Sequence, residues 1–175
     1  MSNKEANLKD KLRQALTSTI RVISGDLEIK QNQKANKNTN KFDFFELDKL
    51  DSKVDFIKAR ADADSSALKK KFSNNEIYKK NLPNNSSCKS LYAIAEKIRY
   101  EALGSKMLKG IKKNLKDNYN QIINLKKKDQ IKTKEDVHVA EAFELYMLKN
   151  FHNINLNSIS SKMLSFWEKE FDQSI

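Results

Sequence analysis

Residues 91–122 read LYAIAEKIRYEALGSKMLKGIKKNLKDNYNQI, and this stretch decides the fold class. Its apolar side chains, from Leu91 and Ile98 onward, recur at steps of three and four residues, which is the spacing of one face of an amphipathic helix. Gly104 and Gly110 interrupt the pattern, and a glycine costs about 1 kcal/mol in a helix interior. The stretch therefore predicts helix throughout, with either a close helix–helix contact or a break near residue 104.

The same periodicity precedes this stretch. Residues 8–23 carry leucine and isoleucine at steps of four, four, four and three, and Gly25 is expected to end this first helix. Leu27 and Ile29 then alternate with charged residues, so we consider a small β-hairpin near residues 26–46, pairing 26–30 with 41–46. Residues 30–41 are almost entirely polar and are expected to form a mobile loop.

Capping residues predict where the other helices begin. A helix is expected over about 47–71, and Ser73 with Glu76 forms the pattern of a capping box that would start a short helix. Asn85 or Ser86 would cap the long helix that follows. Thr133–Asp136 resembles a second capping box, and Asn157 is expected to cap a last helix that reaches Phe171.

Length and composition favour one helical domain. The 175 residues include only 3 Gly and 1 Pro, which disfavours a turn-rich all-β fold. We therefore predict a mainly α, single domain of about five to seven helices over residues 1–175. No long apolar segment or secretory leader is evident, so we expect a cytoplasmic protein with no membrane contact.

The net charge of +11 is concentrated in the middle of the chain. Residues 69–134 carry 18 basic and 5 acidic side chains, whereas residues 135–175 carry 3 and 7. A basic block suggests a polyanion partner. However, 30 of the 34 basic residues are Lys, and Arg is the residue that binds phosphate and guanine in a bidentate manner. Nucleic-acid binding is therefore kept as the alternative function.

Metal and nucleophile sites find little support in the sequence. Cys88 is the one cysteine, and His138 and His152 lie 14 residues apart, so no helical pair of soft-metal ligands exists. Gly104 to Gly110 lacks the spacing and the Lys-Ser/Thr of a phosphate loop. We expect this chain to bind no cofactor and to contain no catalytic or metal-binding residue.

Charged residues on two of the predicted helices are the remaining site candidates. Glu96 and Arg99 have the i, i+3 spacing of an exposed ion pair worth a few tenths of a kcal/mol. Two further interpretations are ion pairs between the two helices and contacts with a partner protein. The candidate residues for these roles are Arg60, Asp62, Asp64, Glu96, Arg99 and Glu101.

Several stretches, in order along the chain, resemble the CobT subunit family of the aerobic, ATP-dependent cobaltochelatase. They are LRQALTSTIRVISGD at 12–26, RADADSSAL at 60–68, EKIRYEALG at 96–104 and SKMLSFW at 161–167. The family usually has Arg-Gly-x-Ala-Asp-x-x-Ala-Leu at the second stretch, and Ala61 replaces that glycine here. None of these stretches is a catalytic motif.

The resemblance implies a role in cobalamin biosynthesis. Enzymes of this type insert Co²⁺ into hydrogenobyrinic acid a,c-diamide, using ATP and Mg²⁺. Within them a CobS-type AAA+ ATPase subunit and a CobN-type large subunit are the expected partners, and self-association is a further option. The family's acidic linker and von Willebrand A-type domain are absent from this chain, so we expect an N-terminal fragment or a shortened homologue.

The resulting hypothesis is a non-catalytic assembly module that couples the ATPase to the chelating subunit. No activity is expected from this chain alone, and whether it belongs to an enzyme depends on its complex. A lysine-rich helical nucleic-acid binder would instead lose affinity steeply with salt. A stand-alone helical enzyme would need a concave pocket lined by carboxyl groups with shifted pKa values.

Overall fold

The computed structural model describes residues 3–29, 52–125 and 131–174. Over these residues the chain forms α-helices and one 3₁₀ helix but no strand, which confirms the mainly α fold class. No helix in these ranges is both long and apolar enough to span a membrane. The helices are α1 (Asn3–Ser24), α2 (Lys53–Phe72), α3 (Asn75–Lys80), α4 (Ser86–Met107), α5 (Lys109–Leu125), α6 (Val139–Phe151), α7 (Ser158–Ser165) and α8 (Glu168–Ser174), with the 3₁₀ helix (Lys134–Asp136) before α6.

Helices α2 and α4 form the centre of the fold. Helix α2 packs against α1, α4 and α5, whereas α4 also packs against α5 and α6, and α7 and α8 close over α6. Full burial of a Leu or Ile side chain stabilises the folded state by about 1.5–3 kcal/mol. The largest apolar side chains that are nearly inaccessible are Ile20, Leu68, Ile98, Leu115, Ile123 and Leu164.

Helix α1 ends where the sequence predicts, but the strand expected after it does not form over residues 26–29. Gly25 has φ +74° and its amide donates to the carbonyl of Arg21 over 3.0 Å, so the helix ends as predicted. The Asp26 carboxylate then accepts from the amide of Glu28, which turns the chain. Arg21 holds that turn by donating to the carbonyl of Ile29 over 2.7 Å. The loop 30–41 and the strand partner 41–46 lie outside the described residues.

The predicted capping box at Ser73 is wrong by one residue. Asn74 is the N-cap of α3, and its side chain accepts from the amides of Glu76 and Ile77. Ser73 is the C-cap of α2 instead: its amide donates to the carbonyl of Lys69, and its hydroxyl is directed toward α4, where it donates to Glu96. The start of α2 also has a capping box that sequence analysis missed, formed by Ser52 and Asp55.

The close helix–helix contact expected at Gly104 is present, and the break in the helix lies four residues later. A β-carbon at this position would lie 2.2 Å from Cδ2 of Leu68, so α2 and α4 approach each other closely here. The helical pattern then breaks at Leu108, between α4 and α5. Of the two expected caps of α4, Asn85 and Ser86, the structure uses Asn85, which accepts from the amides of Ser87 and Cys88.

The C-terminal third contains more helices than the sequence indicated. Thr133 begins only a 3₁₀ turn, and α6 starts later, capped by His138, whose Nδ1 accepts from the amide of Ala140. Asn157 caps α7 as expected. The last predicted helix is divided at Phe166 and Trp167. These divisions explain why the described residues form eight α-helices where five to seven were expected.

Candidate functional site

A buried carboxylate, that of Glu101 on α4, binds side chains of α2 and α5 and lies beside the end of α6. The residue is 1% exposed, and its Oε1 accepts from the hydroxyl of Ser65 on α2 over 2.5 Å. Its Oε2 accepts from the hydroxyl of Tyr119 on α5 over 2.6 Å. Nε2 of His152, which follows α6, lies 3.7 Å from the same Oε2. We call Glu101, Ser65, Tyr119 and His152 the Glu101 cluster.

Burial controls the protonation of this cluster. It raises the pKa of Glu101, although the charge of Lys97 and the two hydroxyl donors act in the opposite direction. Burial also raises the pKa of Tyr119, and the neighbouring Glu101 charge adds to this effect. Burial, with the charge of Lys97, lowers the pKa of His152 to about 4. The imidazole is therefore neutral near pH 7, and its approach to Glu101 is not an ion pair there.

Lys97 covers the outer side of the Glu101 cluster. Its ammonium group lies 5.4 Å from the ring centroid of Tyr119 and 3.9 Å from Oε1 of Glu144 on α6. The side chain is 41% exposed, so the charge faces solvent while its field reaches the buried groups. The Lys97 charge in this position partly offsets the free-energy cost of burying the Glu101 carboxylate.

The chemistry of the cluster is that of a structural junction. Both hydroxyl groups donate to Glu101, and the Glu101 carboxylate and the Tyr119 side chain are almost inaccessible to solvent. Nε2 of His152 is buried without a hydrogen-bond partner. In the described ranges, no group of three or more His, Cys, Asp or Glu side chains is placed to hold a metal ion.

The three candidates on α2 have different environments. Asp64 is 3% exposed and accepts from Nδ2 of Asn114 on α5 over 2.7 Å. Burial raises the pKa of Asp64, and the Asn114 bond and the Arg60 charge oppose that rise. Burial likewise raises the pKa of Asp62. Arg60 is exposed, with its guanidinium 5.9 Å from the ring of Phe56.

Glu96 and Arg99 belong to α4 and lie beside the C-terminal end of α2. The Nε of Arg99 donates to Oε2 of Glu96 over 2.7 Å, and one of its terminal nitrogens donates to the carbonyl of Phe72 over 2.7 Å. Ser73 also donates to Glu96, over 2.6 Å. The guanidinium holds the pKa of Glu96 below its usual range. This ion pair therefore fastens the end of α2 to α4, beside a surface groove.

The structure does not join the two sets of candidates by ion pairs. Among the described residues, no ion pair links Arg60, Asp62 or Asp64 with the candidates on α4. The two buried carboxylates instead contact neutral donors, Asn114 for Asp64 and Ser65 with Tyr119 for Glu101. Whether any of the six residues contacts a partner protein stays a prediction.

Sequence reasoning missed four residues of these networks, namely Ser65, Asn114, Tyr119 and His152. Ser65 and Tyr119 are separated from Glu101 by 36 and 18 residues, so no local spacing relates them. One signal was present: Glu101 lies three residues after Ile98 and three before Gly104, on the apolar face of α4. A carboxylate on such a face indicates a buried group that needs donors.

Comparison with known proteins identifies the family. No solved structure matches the chain. The family model described as "Cobalamin biosynthesis protein CobT" matches residues 6–175, which is nearly the whole sequence and includes the Glu101 cluster and the Glu96–Arg99 pair. The chain therefore belongs to the CobT family of cobalamin biosynthesis proteins.

Proposed function

We propose that this chain is a non-catalytic assembly module of the ATP-dependent cobaltochelatase, which inserts Co²⁺ into hydrogenobyrinic acid a,c-diamide. In this role it couples a CobS-type AAA+ ATPase to a CobN-type chelating subunit in the cytoplasm. The family match over residues 6–175 carries the proposal. The complex uses ATP, Mg²⁺ and Co²⁺, and we assign none of these ligands to residues of this chain.

The interior of the fold supports a mechanical role. Glu101 and Asp64 tie α2, α4 and α5 together through side-chain hydrogen bonds that are largely shielded from water. Hydrogen bonds to a buried charged group contribute more than those between neutral groups, about 1.5–3 kcal/mol each. Such bonds hold the three helices in a fixed arrangement, which suits the transmission of motion between two subunits.

The surface charge supports association with another protein. Residues 69–134 carry a large excess of basic side chains, whereas residues 135–175 are net acidic. Such an asymmetric charge distribution mainly accelerates and orients the encounter with a complementary partner.

A pull-down with the CobS-type ATPase from the same source tests the proposal, with and without Mg-ATP, at low and physiological salt. Retention at physiological salt is the expected result. Arg60→Ala and Arg99→Ala probe the two exposed candidate cations, and Lys169→Ala is the control on α8. Absence of retention under every condition would contradict docking on the ATPase, and the same assay with the CobN-type subunit would then test the remaining contact.

The basic middle of the chain also favours a second candidate, nucleic-acid binding. Nucleic-acid binding would show a binding constant whose logarithm falls linearly with the logarithm of salt concentration, because phosphate contacts release counterions. If the chain retains the ATPase at physiological salt but binds no nucleic acid at that salt concentration, the result supports the assembly function and contradicts nucleic-acid binding.

A further inference from the structure

A surface groove lies between α3 and α4, and the end of α2 closes one side of it. Its volume is about 500 Å³. The apolar part of its lining comes from Phe72, Ile77, Tyr78, Tyr92 and Ala95. The rings of Tyr78 and Tyr92 lie 5.0 Å apart, and Ile77 is 59% exposed. We call this depression the α3–α4 groove.

The polar part of the lining carries little net charge. Glu96 and Arg99 both line the groove, and they neutralise each other through two hydrogen bonds, from Nε of Arg99 to Oε2 over 2.7 Å and from a terminal nitrogen to Oε1 over 2.9 Å. Glu96 also accepts from Ser73, so its carboxylate is fixed in position. The groove wall is thus apolar and aromatic, with a neutralised ion pair at one side.

The two helices that line the groove also carry exposed lysines, which we call the rim cations. Exposed Lys79 and Lys80 belong to α3, where Lys80 follows Ile77 by three residues and therefore shares its face, and exposed Glu76 is the one acidic residue of this helix. Exposed Lys89 precedes Tyr92 by three residues on α4, and it therefore lies on the same helix face as the groove-lining residue. Residues 69–99 together contain eight basic and two acidic side chains.

We propose that the α3–α4 groove binds an acidic polypeptide segment of a partner protein. An apolar side chain of that segment enters between Ile77 and the two tyrosines, and its flanking carboxylates face Lys79, Lys80 and Lys89. The inference goes beyond the proposed function, since it concerns this groove whichever protein carries the segment.

The charge pattern favours a peptide over a nucleic acid. The rim cations are lysines, which bind phosphate as point charges and lack the bidentate geometry of arginine. A neutral apolar centre with a cationic rim instead complements an apolar anchor between acidic residues.

Fluorescence anisotropy with defined short peptides tests this inference on the full chain. The probe peptide carries a Leu-Phe pair flanked on both sides by Asp and Glu. One control peptide replaces the pair by Ser-Ser, and the other replaces the acidic residues by Lys. We expect the probe to bind at least about tenfold more tightly than either control.

Cys88 reports where the peptide binds. It is the single cysteine of the chain, it is exposed, and it lies one helical turn before Tyr92. A bound peptide should slow alkylation of this thiol by iodoacetamide, a neutral reagent whose approach the rim charge does not alter. Unchanged alkylation at saturating peptide would place the binding site elsewhere and overturn the inference.

Two charge-matched variants separate a specific rim from general electrostatics. The variant in which Lys79, Lys80 and Lys89 are all changed to Glu should bind the probe peptide at least about tenfold more weakly than the wild type. Lys112, Lys113 and Lys116 are exposed on α5, and changing these three to Glu alters the net charge equally. Circular dichroism verifies that both variants are folded. Equal loss in the two variants would refute the groove as the site.

A variant of the groove wall tests the apolar contribution. Ile77→Asp places a charge at an exposed groove position and should abolish probe binding, whereas Val22→Asp changes a 75% exposed residue of α1 and should leave it intact. Binding of the probe weaker than about 1 mM to the wild type would overturn the inference. Tighter binding of oligothymidylate, with protection of Cys88, would assign the groove to nucleic acid instead.

Discussion

The hydroxyl of Tyr119 donates to Oε2 of Glu101 over 2.6 Å, and this contact joins α5 to the most deeply buried carboxylate of the described structure. Ser65 donates to the other oxygen of the same carboxylate from α2. One side chain of α4 thus organises both neighbouring helices. A buried carboxylate with paired donors is tolerated, whereas the same group without them would cost several kcal/mol.

A double-mutant cycle measures how strongly these two residues are coupled. Glu101→Leu leaves two buried hydroxyl groups without an acceptor, and Tyr119→Phe leaves one carboxylate oxygen without its donor. Each change should lower the free energy of unfolding by about 1–3 kcal/mol, and the double variant by less than the sum. Urea denaturation measures all four proteins.

Tyr146 and Asp172 provide the control cycle for this prediction. Tyr146 donates to Asp172 over 2.9 Å, but Asp172 is exposed, so water replaces the lost partner. The coupling there should be below about 1 kcal/mol. Strict additivity of Glu101→Leu and Tyr119→Phe would show that their contact does not stabilise the fold.

Local signals explain which features the sequence could predict. Gly25, Asn85 and Asn157 act within a few residues of themselves, because a cap or a left-handed turn needs only neighbouring amides. The error at Ser73 has the opposite cause. Its hydroxyl is recruited by Glu96, 23 residues away, and a capping pattern contains no information about such a contact.

The candidate site was predictable only in part for the same reason. The i, i+3 spacing placed Glu96 and Arg99 within reach of each other, and Arg99 does donate to Glu96. The partners of Glu101 come from helices whose packing depends on the whole fold, so the sequence could indicate the residue but not its contacts. His152 was considered only as a metal ligand and rejected, and its place beside Glu101 follows only from how α6 packs on α4.

The burial of His152 predicts a specific dependence of stability on pH. Its pKa falls from 6.5 in the unfolded chain to about 4 in the folded protein. Between these values the unfolded state binds a proton that the folded state does not, so stability decreases as pH falls through this window. The loss is on the order of 3 kcal/mol at pH 4 relative to pH 7.

The variant His152→Gln isolates this contribution. Urea denaturation between pH 7 and pH 4 should show a smaller loss of stability for the variant than for the wild type. Glu101 acts with the opposite sign, since burial raises its pKa and stability falls as pH rises through its titration. An NMR titration assigned with the variant follows the ring directly, and protonation of His152 near pH 6.5 would contradict its assignment as buried and neutral.

Because Asn74 and not Ser73 is the N-cap of α3, we expect only the Asn74 side chain to stabilise the start of that helix. Asn74→Ala removes the acceptor for the amides of Glu76 and Ile77, and it should cost about 1 kcal/mol. Ser73→Ala removes only the bond to Glu96, which keeps its contact with Arg99. Hydrogen exchange at residues 76 and 77 should therefore accelerate in Asn74→Ala alone. Equal acceleration in Ser73→Ala would restore the capping box expected from the sequence.

Replacement of Gly104 by alanine should lower the free energy of unfolding, whereas replacement of Gly110 should leave it unchanged or raise it. In Gly104→Ala the new methyl group would lie 2.2 Å from a terminal carbon and 2.8 Å from Cγ of Leu68, which is only 1% exposed and therefore has little room to move. Overpacking of this kind costs about 1–3 kcal/mol, more than the roughly 1 kcal/mol that alanine gains in helix propensity. In Gly110→Ala the methyl group meets open space, so stability should stay the same or rise by up to about 1 kcal/mol. Thermal and urea unfolding of both variants measure the difference, and a Gly104→Ala protein as stable as Gly110→Ala would mean that α2 and α4 are less closely packed than this contact indicates.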